Sequence, residues 1–456
     1  MKKIDVLTPV LATAVSLCLV LIFAGAADAQ KLSRLDRDRA FGMLKNVKKK
    51  IKSEYYDPEF RGIDIDARFD AAEERLKNAG TLGEAFGIIA QAVLDLDDSH
   101  TTFYPPDRNA IIDYGWKMRM FGDKCLVTQV RPGSDAAKKG IEKGDEIMAI
   151  NRFPPSRSEL WKMVYFYQTL NPQTQVTLVV RKPGGEPKQL LVDTKVTRQK
   201  AVLDVNNHMD FNEAQREGAR MANANPHRFA DAGSVKIWKM PTFAFDPGEV
   251  PRMTAQFRNS SSLIIDLRGN GGGYVKTLEE IAGYFFTEDK KIADLVGRKE
   301  MDPQMAKTKG DKVFTGKVVV LIDSASGSAS EIFARVMQLE KRGTVLGDVS
   351  AGAVMQSMGH GLDAGSGSSI AYGVSITNAD VIMTDGKSLE HIGVTPDEKI
   401  IPTPEDVAAG RDPVMARALE LFGVNINATD AGRIFPEPEY IERLSNLSFM
   451  IEGWNF

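Results

Sequence analysis

The sequence predicts an α+β multidomain fold, with an N-terminal helical region, a small β-rich module and an α/β core on a mainly parallel sheet. Three observations carry this. Apolar residues recur at helical spacing from about residue 33 to 105. Short β-like runs separated by Gly and Pro turns fill about 112–197. From about 200 to 405, apolar strands alternate with helical runs, as in a buried parallel sheet. A length of 456 residues fits about three units at roughly 150 residues each.

Composition narrows the class. The chain is 43% hydrophobic and 26% charged, which excludes a collagen, a disordered tail and a polytopic membrane protein. The net charge of −3 holds no basic excess, so no nucleic-acid partner is expected. Two cysteines exclude a disulfide scaffold.

Residues 1–29 read as a signal peptide. Lys2 and Lys3 precede an apolar run from Val10, and Ala27-Asp28-Ala29 before Gln30 forms an A-x-A cleavage pattern. The alternative is an uncleaved anchor, the only membrane contact expected. Cys18 is a poor lipidation site because Leu17 stands where a small residue is needed. Cleavage leaves Cys125 alone, so the mature chain holds no internal disulfide. The expected location is periplasmic or extracellular.

Residues 30–108 form the helical region. Phe41, Leu44, Val47 and Ile51 share one face. Further helical stretches run over 63–77 and 81–96, the latter opened by a Thr81/Glu84 capping box. The last ends in Asp97-Asp98-Ser99-His100-Thr101-Thr102. Residues 109–198 carry β runs at 118–121, 124–130, 146–150 and 175–181, an amphipathic helix at 156–170, and a Gly144-Asp145 turn before an apolar strand. Residues 199–405 carry strands at 235–238, 262–266, 318–322 and 344–347, with helices at 275–286 and 328–339. Residues 406–456 hold a helical tail, with Asp412 capping, Pro413 at the first turn and Gly423 at the end.

The 109–198 stretch resembles a PDZ domain, whose Gly-Asp turn before an apolar strand it shares. The resemblance implies a β-sandwich-like module that adds an extended peptide, often a C-terminus, to a sheet edge. Tyr114-Gly115-Trp116-Lys117-Met118 would be the receiving loop. A module of this shape that binds nothing is the alternative.

Two turns in the core suit chemistry. Asp266-Leu267-Arg268-Gly269-Asn270-Gly271-Gly272-Gly273 follows a strand and exposes backbone N–H groups. It lacks the P-loop and dinucleotide patterns. Ser324 to Ser330 follows another strand and opens a helix, where a serine hydroxyl meets the positive end of the dipole. Taken alone, such a serine is more readily a helix cap.

In order, D-L-R-x-N-x-G-G and S-A-S-E behind a PDZ-like module resemble the C-terminal processing (tail-specific) proteases and the tricorn-type serine peptidases. The resemblance spans about Arg39 to Thr403. It implies Ser328 as nucleophile and an oxyanion hole from Gly271, Gly272 and Ala329. The processing proteases activate their serine with a lysine, and that position falls on Ala353, whose methyl group accepts no proton. The tricorn-like branch uses a Ser-His pair, and Ser99-His100 matches its context. Histidine suits the task because it titrates near neutrality. Glu390 is the family-like partner, complicated by His391 beside it. Asp97 or Asp98 could serve instead, and Ser99 could help position the site. His360 is a rival base, and His208 and His227 look like surface positions. H-E-x-x-H is absent, so no metal or other cofactor is expected.

The resemblance implies an exported serine endopeptidase acting on polypeptide substrates, recruited in part through C-termini at the PDZ-like module. The rival reading is an inactive scaffold serving as a periplasmic peptide-binding adaptor.

Overall fold

The computed structural model describes residues 32–106, 110–198, 226–365, 370–436 and 440. The signal-like segment, His208 and most of the tail beyond 436 lie outside them. Three helices open the described chain: α1 (Arg34–Glu54), α2 (Ile65–Lys77) and α3 (Leu82–Leu94). Each starts on a side-chain cap, from Ser33, Asp64 and Thr81. The Glu84 carboxylate accepts from Gly80 N–H rather than from Thr81 N–H, so the expected capping box is displaced by one residue.

These helices do not bury their apolar faces alone. Val47, Ile51, Phe69, Ile89 and Val93 pack with Phe103 of strand β1 (Thr102–Tyr104) and with Tyr372, Val374 and Ile376 from far along the chain.

The second region is β2 (Ala110–Asp113), β3 (Trp116–Phe121), β4 (Lys124–Val130), α4 (Asp135–Lys138), β5 (Glu146–Ile150), α5 (Leu160–Tyr165), β6 (Gln175–Arg181), β7 (Pro187–Asp193) and β8 (Lys195–Arg198). Helix α5 continues as a π-helical turn over Phe166–Leu170. Strands β3 to β7 form one antiparallel sheet in chain order, and β2 pairs with β8 separately. Leu160, Met163 and Val164 of α5 pack on Val127, Leu178 and Val192 of the sheet. The arrangement is one covered sheet with a short ribbon, not two facing sheets.

The third region runs β9 (Arg228–Ala232), β10 (Val235–Lys239), α6 (Val250–Thr254), β11 (Ser262–Asp266), α7 (Val275–Ala282), β12 (Lys290–Val296), β13 (Gln304–Ala306), β14 (Lys317–Ile322), α8 (Ala329–Leu339), β15 (Thr344–Gly347), β16 (Met355–Ala364), β17 (Ile370–Met383), β18 (Glu398–Lys399), α9 (Pro404–Ala409), α10 (Pro413–Glu420) and α11 (Ala428–Gly432). One sheet orders β18-β15-β14-β11-β10-β9, with every pair parallel except β10–β9. Trp238, Phe257, Phe285 and Phe333 fill one face with α6, α7 and α8. Ile237, Ile264, Leu321, Val414 and Leu419 fill the other with α10 and α11.

A second sheet was not foreseen. Its spine is β17, paired with β16 along one edge and with β1 and then β12 along the other. Strand β1 thus carries the N-terminal region into the α/β core.

Phe103 lies at this seam and is fully buried. Phe103→Ala is expected to cost about 3–5 kcal/mol. In urea, fluorescence and circular dichroism should shift together to a lower midpoint. Separate transitions for the helices and the core would show that the seam does not couple them.

Candidate active site

Ser328 stands between β14 and α8, with φ 52° and ψ −118°. A non-glycine residue holds such a backbone at a cost of about 1–3 kcal/mol, and only where its surroundings enforce it. The enforcement is visible. Ser328 N–H donates to Ala353 O at 2.9 Å and to Glu331 Oε2 at 3.0 Å. Gly327 N–H and Ser330 Oγ both donate to Asn270 O, tying the serine turn to the glycine turn. Gly272, at φ 105°, closes the gap, and a Cβ there would lie 2.7 Å from Ser328 Cβ.

His100 arrives from the other end of the chain. The Asp98 carboxylate accepts from His100 N–H (2.9 Å), Thr101 N–H (2.7 Å) and Thr377 Oγ1 (2.6 Å), which pins the turn before β1 onto β17. His100 Nε2 then lies 3.3 Å from Ser328 Oγ, across 228 residues of sequence. Its Nδ1 lies 2.7 Å from Ser99 Oγ. Ser99 Oγ donates to Glu390 Oε2 at 2.8 Å and Ser99 N–H donates to Oε1 at 2.6 Å. Val354 N–H donates to Glu390 Oε2 at 2.8 Å.

These contacts order the protons. Ionised, Glu390 only accepts, so the Ser99 hydroxyl must donate to it. The Ser99 oxygen then accepts from His100 Nδ1–H. That tautomer leaves the Nε2 lone pair facing Ser328. Burial lowers the His100 pKa to about 4, with Asp98 opposing, so the ring is neutral at neutral pH. Burial raises Glu390, against hydrogen bonds from Ser99 and Val354.

Glu331 was not picked out by sequence reasoning. It is fully buried and accepts from Ser350 Oγ, Gly352 N–H, Ala353 N–H and Ser328 N–H. Burial pushes its carboxyl up to about 7 against those donors. The available signal was an acid three residues into a helix that starts on a serine. Ala353 is buried beside Ser328 and contributes only its main chain to these contacts.

Other expectations need correcting. Gly272 N–H donates to Asn270 Oδ1 at 2.9 Å and so is turned from the serine. The N–H groups of Gly271 and Ala329 have no partner among the described residues, as expected for Ala329 at a helix start. Asp98 holds the backbone of the turn, not the imidazole Nδ1. His391 turns its Nε2 to Asp97 O at 2.9 Å, and Asp97 itself is exposed. His360 Nε2 lies 2.7 Å from Glu54 of α1. His227 is not a surface residue: it accepts from Trp238 Nε1 and packs against Phe245.

The Tyr114–Met118 loop leads into β3, the outer strand of its sheet. Gly115 N–H already donates to Asp113 Oδ1, and Tyr114 OH donates to Tyr167 O, each at 2.7 Å. A cavity of about 690 Å³ runs from Tyr114, Trp116 and Met118 to the C-terminal strand ends at Asp266, Asp323 and Asp348. Ligands of open α/β sheets bind at such strand ends. Arg119 of β3 pairs with Asp323, whose Oδ1 also accepts from Gly269 N–H and Ala325 N–H. Arg157 pairs with Asp348 at 2.9 Å.

A serine, a histidine and a glutamate are thus joined in one run of contacts on an α/β core, with Ser99 as the link between ring and acid. Residues 231–400 match peptidase family S41. The chain is 23% identical over 338 residues to the carboxyl-terminal-processing peptidase 1, chloroplastic, of Arabidopsis thaliana, covering 71% of this chain and 64% of that one. It thus spans slightly under two thirds of that relative. It is also 23% identical over 364 residues to the C-terminal processing peptidase, chloroplastic, of Tetradesmus obliquus, covering 76% of this chain and 74% of that one. The fold is similar to mature CPAF (TM-score 0.60, 14% identity, 82% of this chain and 94% of that one). It is also similar to the photosystem II D1 C-terminal processing protease (TM-score 0.50, 18% identity, 87% of this chain and 99% of that one).

Gly272→Ala is expected to displace Ser328 and to lower stability by about 1–3 kcal/mol. Thermal melting and fluorophosphonate labelling check this. Unchanged labelling would show that the contact is not needed.

Proposed function

We propose that the protein is an exported serine endopeptidase that cuts polypeptides through an acyl-enzyme. Ser328 Oγ attacks the peptide carbonyl while His100 Nε2 takes its proton. The N–H groups of Gly271 and Ala329 stabilise the oxyanion. The imidazolium returns the proton to the leaving amine, and water, activated by the same ring, releases the acid. Ser99 and Glu390 hold the tautomer and stabilise the charged ring. Ala353 stands at the lysine position of the processing proteases, and the base is histidine instead. The 109–198 module is a PDZ-like unit that recruits substrate, in some cases by a C-terminus, along the edge of β3. The basic start and A-x-A pattern support export to the periplasm or extracellular space.

The carrying observation is the unbroken chain Glu390–Ser99–His100–Ser328. An inactive adaptor has no need of it. Fluorophosphonate labelling of the purified chain from residue 30, beside cleavage of an unfolded protein, tests the reading. Ser328→Ala should abolish both signals. His100→Ala should lower both by about 10²–10⁴-fold. His360→Ala should leave both intact. A folded wild type that neither labels nor cleaves would transfer the scaffold to the adaptor reading.

Two finer outcomes follow from the proton order. Glu390→Gln offers an amide donor to Ser99 and reverses the chain, so kcat should fall by up to about 10⁴-fold with KM little changed. Activity needs neutral His100, and burial depresses its pKa. The acid limb of kcat/KM should therefore lie below the ordinary imidazole value of about 6.5. A limb at or above that value would contradict the assignment of this buried ring as base.

A further inference from the structure

We infer, on the peptidase reading above, that His391 is a positioning residue, which holds the turn carrying Ser99 and His100 at its working distance from the Ser328 turn. Glu390 serves Ser99 with its carboxylate, and the next residue reaches the same turn by a separate route. His391 Nε2 lies 2.9 Å from Asp97 O. A carbonyl oxygen only accepts, so Nε2 carries the proton. Asp97 opens the run Asp97-Asp98-Ser99-His100, so the bond falls just ahead of the ring that faces Ser328. Arg61 Nη1, from the connection between α1 and α2, donates to the same carbonyl.

The main chain of His391 is fixed on the opposite side. Its N–H donates to Gly352 O at 2.7 Å. Gly352 N–H in turn donates to Glu331 Oε1, and Glu331 Oε2 accepts from Ser328 N–H. Gly352, at φ 72°, permits the close approach: a Cβ there would lie 3.0 Å from His391 C and 3.1 Å from Ile392 N. One residue therefore joins the segment behind Ser328, through its backbone, to the turn ahead of His100, through its ring.

Backbone conformation singles out the same contact. His391 (φ 61°) and Asp97 (φ 51°) both stand in the left-handed region. A turn there is filled with less strain by glycine. Side chains other than glycine persist in such conformations where their surroundings hold them, and they gather at active sites. Here the two left-handed residues are the two ends of one hydrogen bond. A role through charge is the alternative, since the ring also lies 3.8 Å from Glu390 Oε1 and 3.9 Å from Asp97 Oδ2. Both separations exceed hydrogen-bond length, whereas the contact with Asp97 O does not. The bond, not the charge, is therefore the working contact.

The experiment compares the full chain with its His391→Gly, His391→Asn and His391→Gln variants. Glycine removes the ring, and asparagine is too short to replace it. Both accept the left-handed backbone, so folding should survive, which thermal melting checks. Glutamine carries no charge but places an amide N–H about as far out as Nε2. Initial rates on dye-labelled unfolded casein give kcat and KM. Hydrogen exchange followed by mass spectrometry reports on the His100 and Thr101 amides. In His391→Gly and His391→Asn, kcat should fall by about 10-fold to 10²-fold, the effect of a misplaced reacting group. KM should stay within about twofold, because substrate binding is not touched. The two amides should exchange faster, and His391→Gln should return both kcat and exchange towards wild type. A kcat within about threefold of wild type in both shortened variants would overturn the inference. So would a fall in kcat that His391→Gln leaves in place, which would assign the effect to charge. A folded wild type that neither labels with fluorophosphonate nor cleaves would defeat the peptidase reading instead, and exchange alone would then decide. Faster exchange in His391→Gly that His391→Gln reverses would uphold the tether, and equal exchange would overturn it.

Discussion

The site depends on how Glu390 is satisfied. Two of its three donors come from Ser99 and one from Val354. A carboxylate that only accepts sets the direction of every proton behind it, through a hydroxyl to an imidazole. The structure needs no further device to choose the His100 tautomer. It also puts the acid one residue further from the ring than a direct Asp-His contact would, with Ser99 as the link. Burial and hydrogen bonding pull Glu390 in opposite directions, so the same low-dielectric surroundings that strengthen each bond also make a missing donor costly.

Two glutamates divide one short segment between them. Glu331 takes the N–H groups of Gly352 and Ala353, and Glu390 takes that of Val354. One carboxylate stands behind Ser328 and the other behind Ser99 and His100. The segment between them therefore fixes the separation of Ser328 and His100 without a side chain of its own. This places Ala353 in a structural role: its carbonyl accepts from Ser328 and its amide donates to Glu331. Arg119 and Arg157 reach from the small β-region to Asp323 and Asp348, which lie at strand ends next to the serine turn. That region is thus joined to the core by charged contacts and also by Tyr165 and Leu170, which are buried in the apolar cluster of Phe103, Tyr372 and Val374.

Much of this was legible in the sequence for local reasons. Strands over 262–266, 344–347 and 146–150 are continuous or alternating apolar runs with clear turns on either side, and they lie where expected. Ser328, His100, Ser99 and Glu390 were each recognisable, and the structure brings them into one chain of contacts. What was not legible is non-local or polar. The β16 strand contains Gln356, Ser357, Gly359, His360 and Gly361, a poor strand composition that its long pairing with β17 overrides. Strand β17 carried a signal in its alternating Tyr372, Val374 and Ile376, but its partners lie far off in sequence. Gly272 looked like a free donor because sequence does not reveal that the Asn270 side chain occupies it. Glu331 was not picked out because its other donors come from 19 to 22 residues downstream.

The seam of β1 with β17 also has a meaning for biosynthesis. A ribosome delivers Ser99 long before Glu390, which lies 291 residues later. At about 5–20 residues per second, that interval is roughly 15–60 s. Until Ser328 emerges, 228 residues after His100, the ring has no hydroxyl to face, until β17 emerges β1 has no strand to pair with, and throughout the interval Ser99 lacks the acid it donates to. The nascent chain is therefore born without the Glu390–Ser99–His100–Ser328 run of contacts. Its own late segments complete that run, so these contacts form only when synthesis of the core is nearly complete.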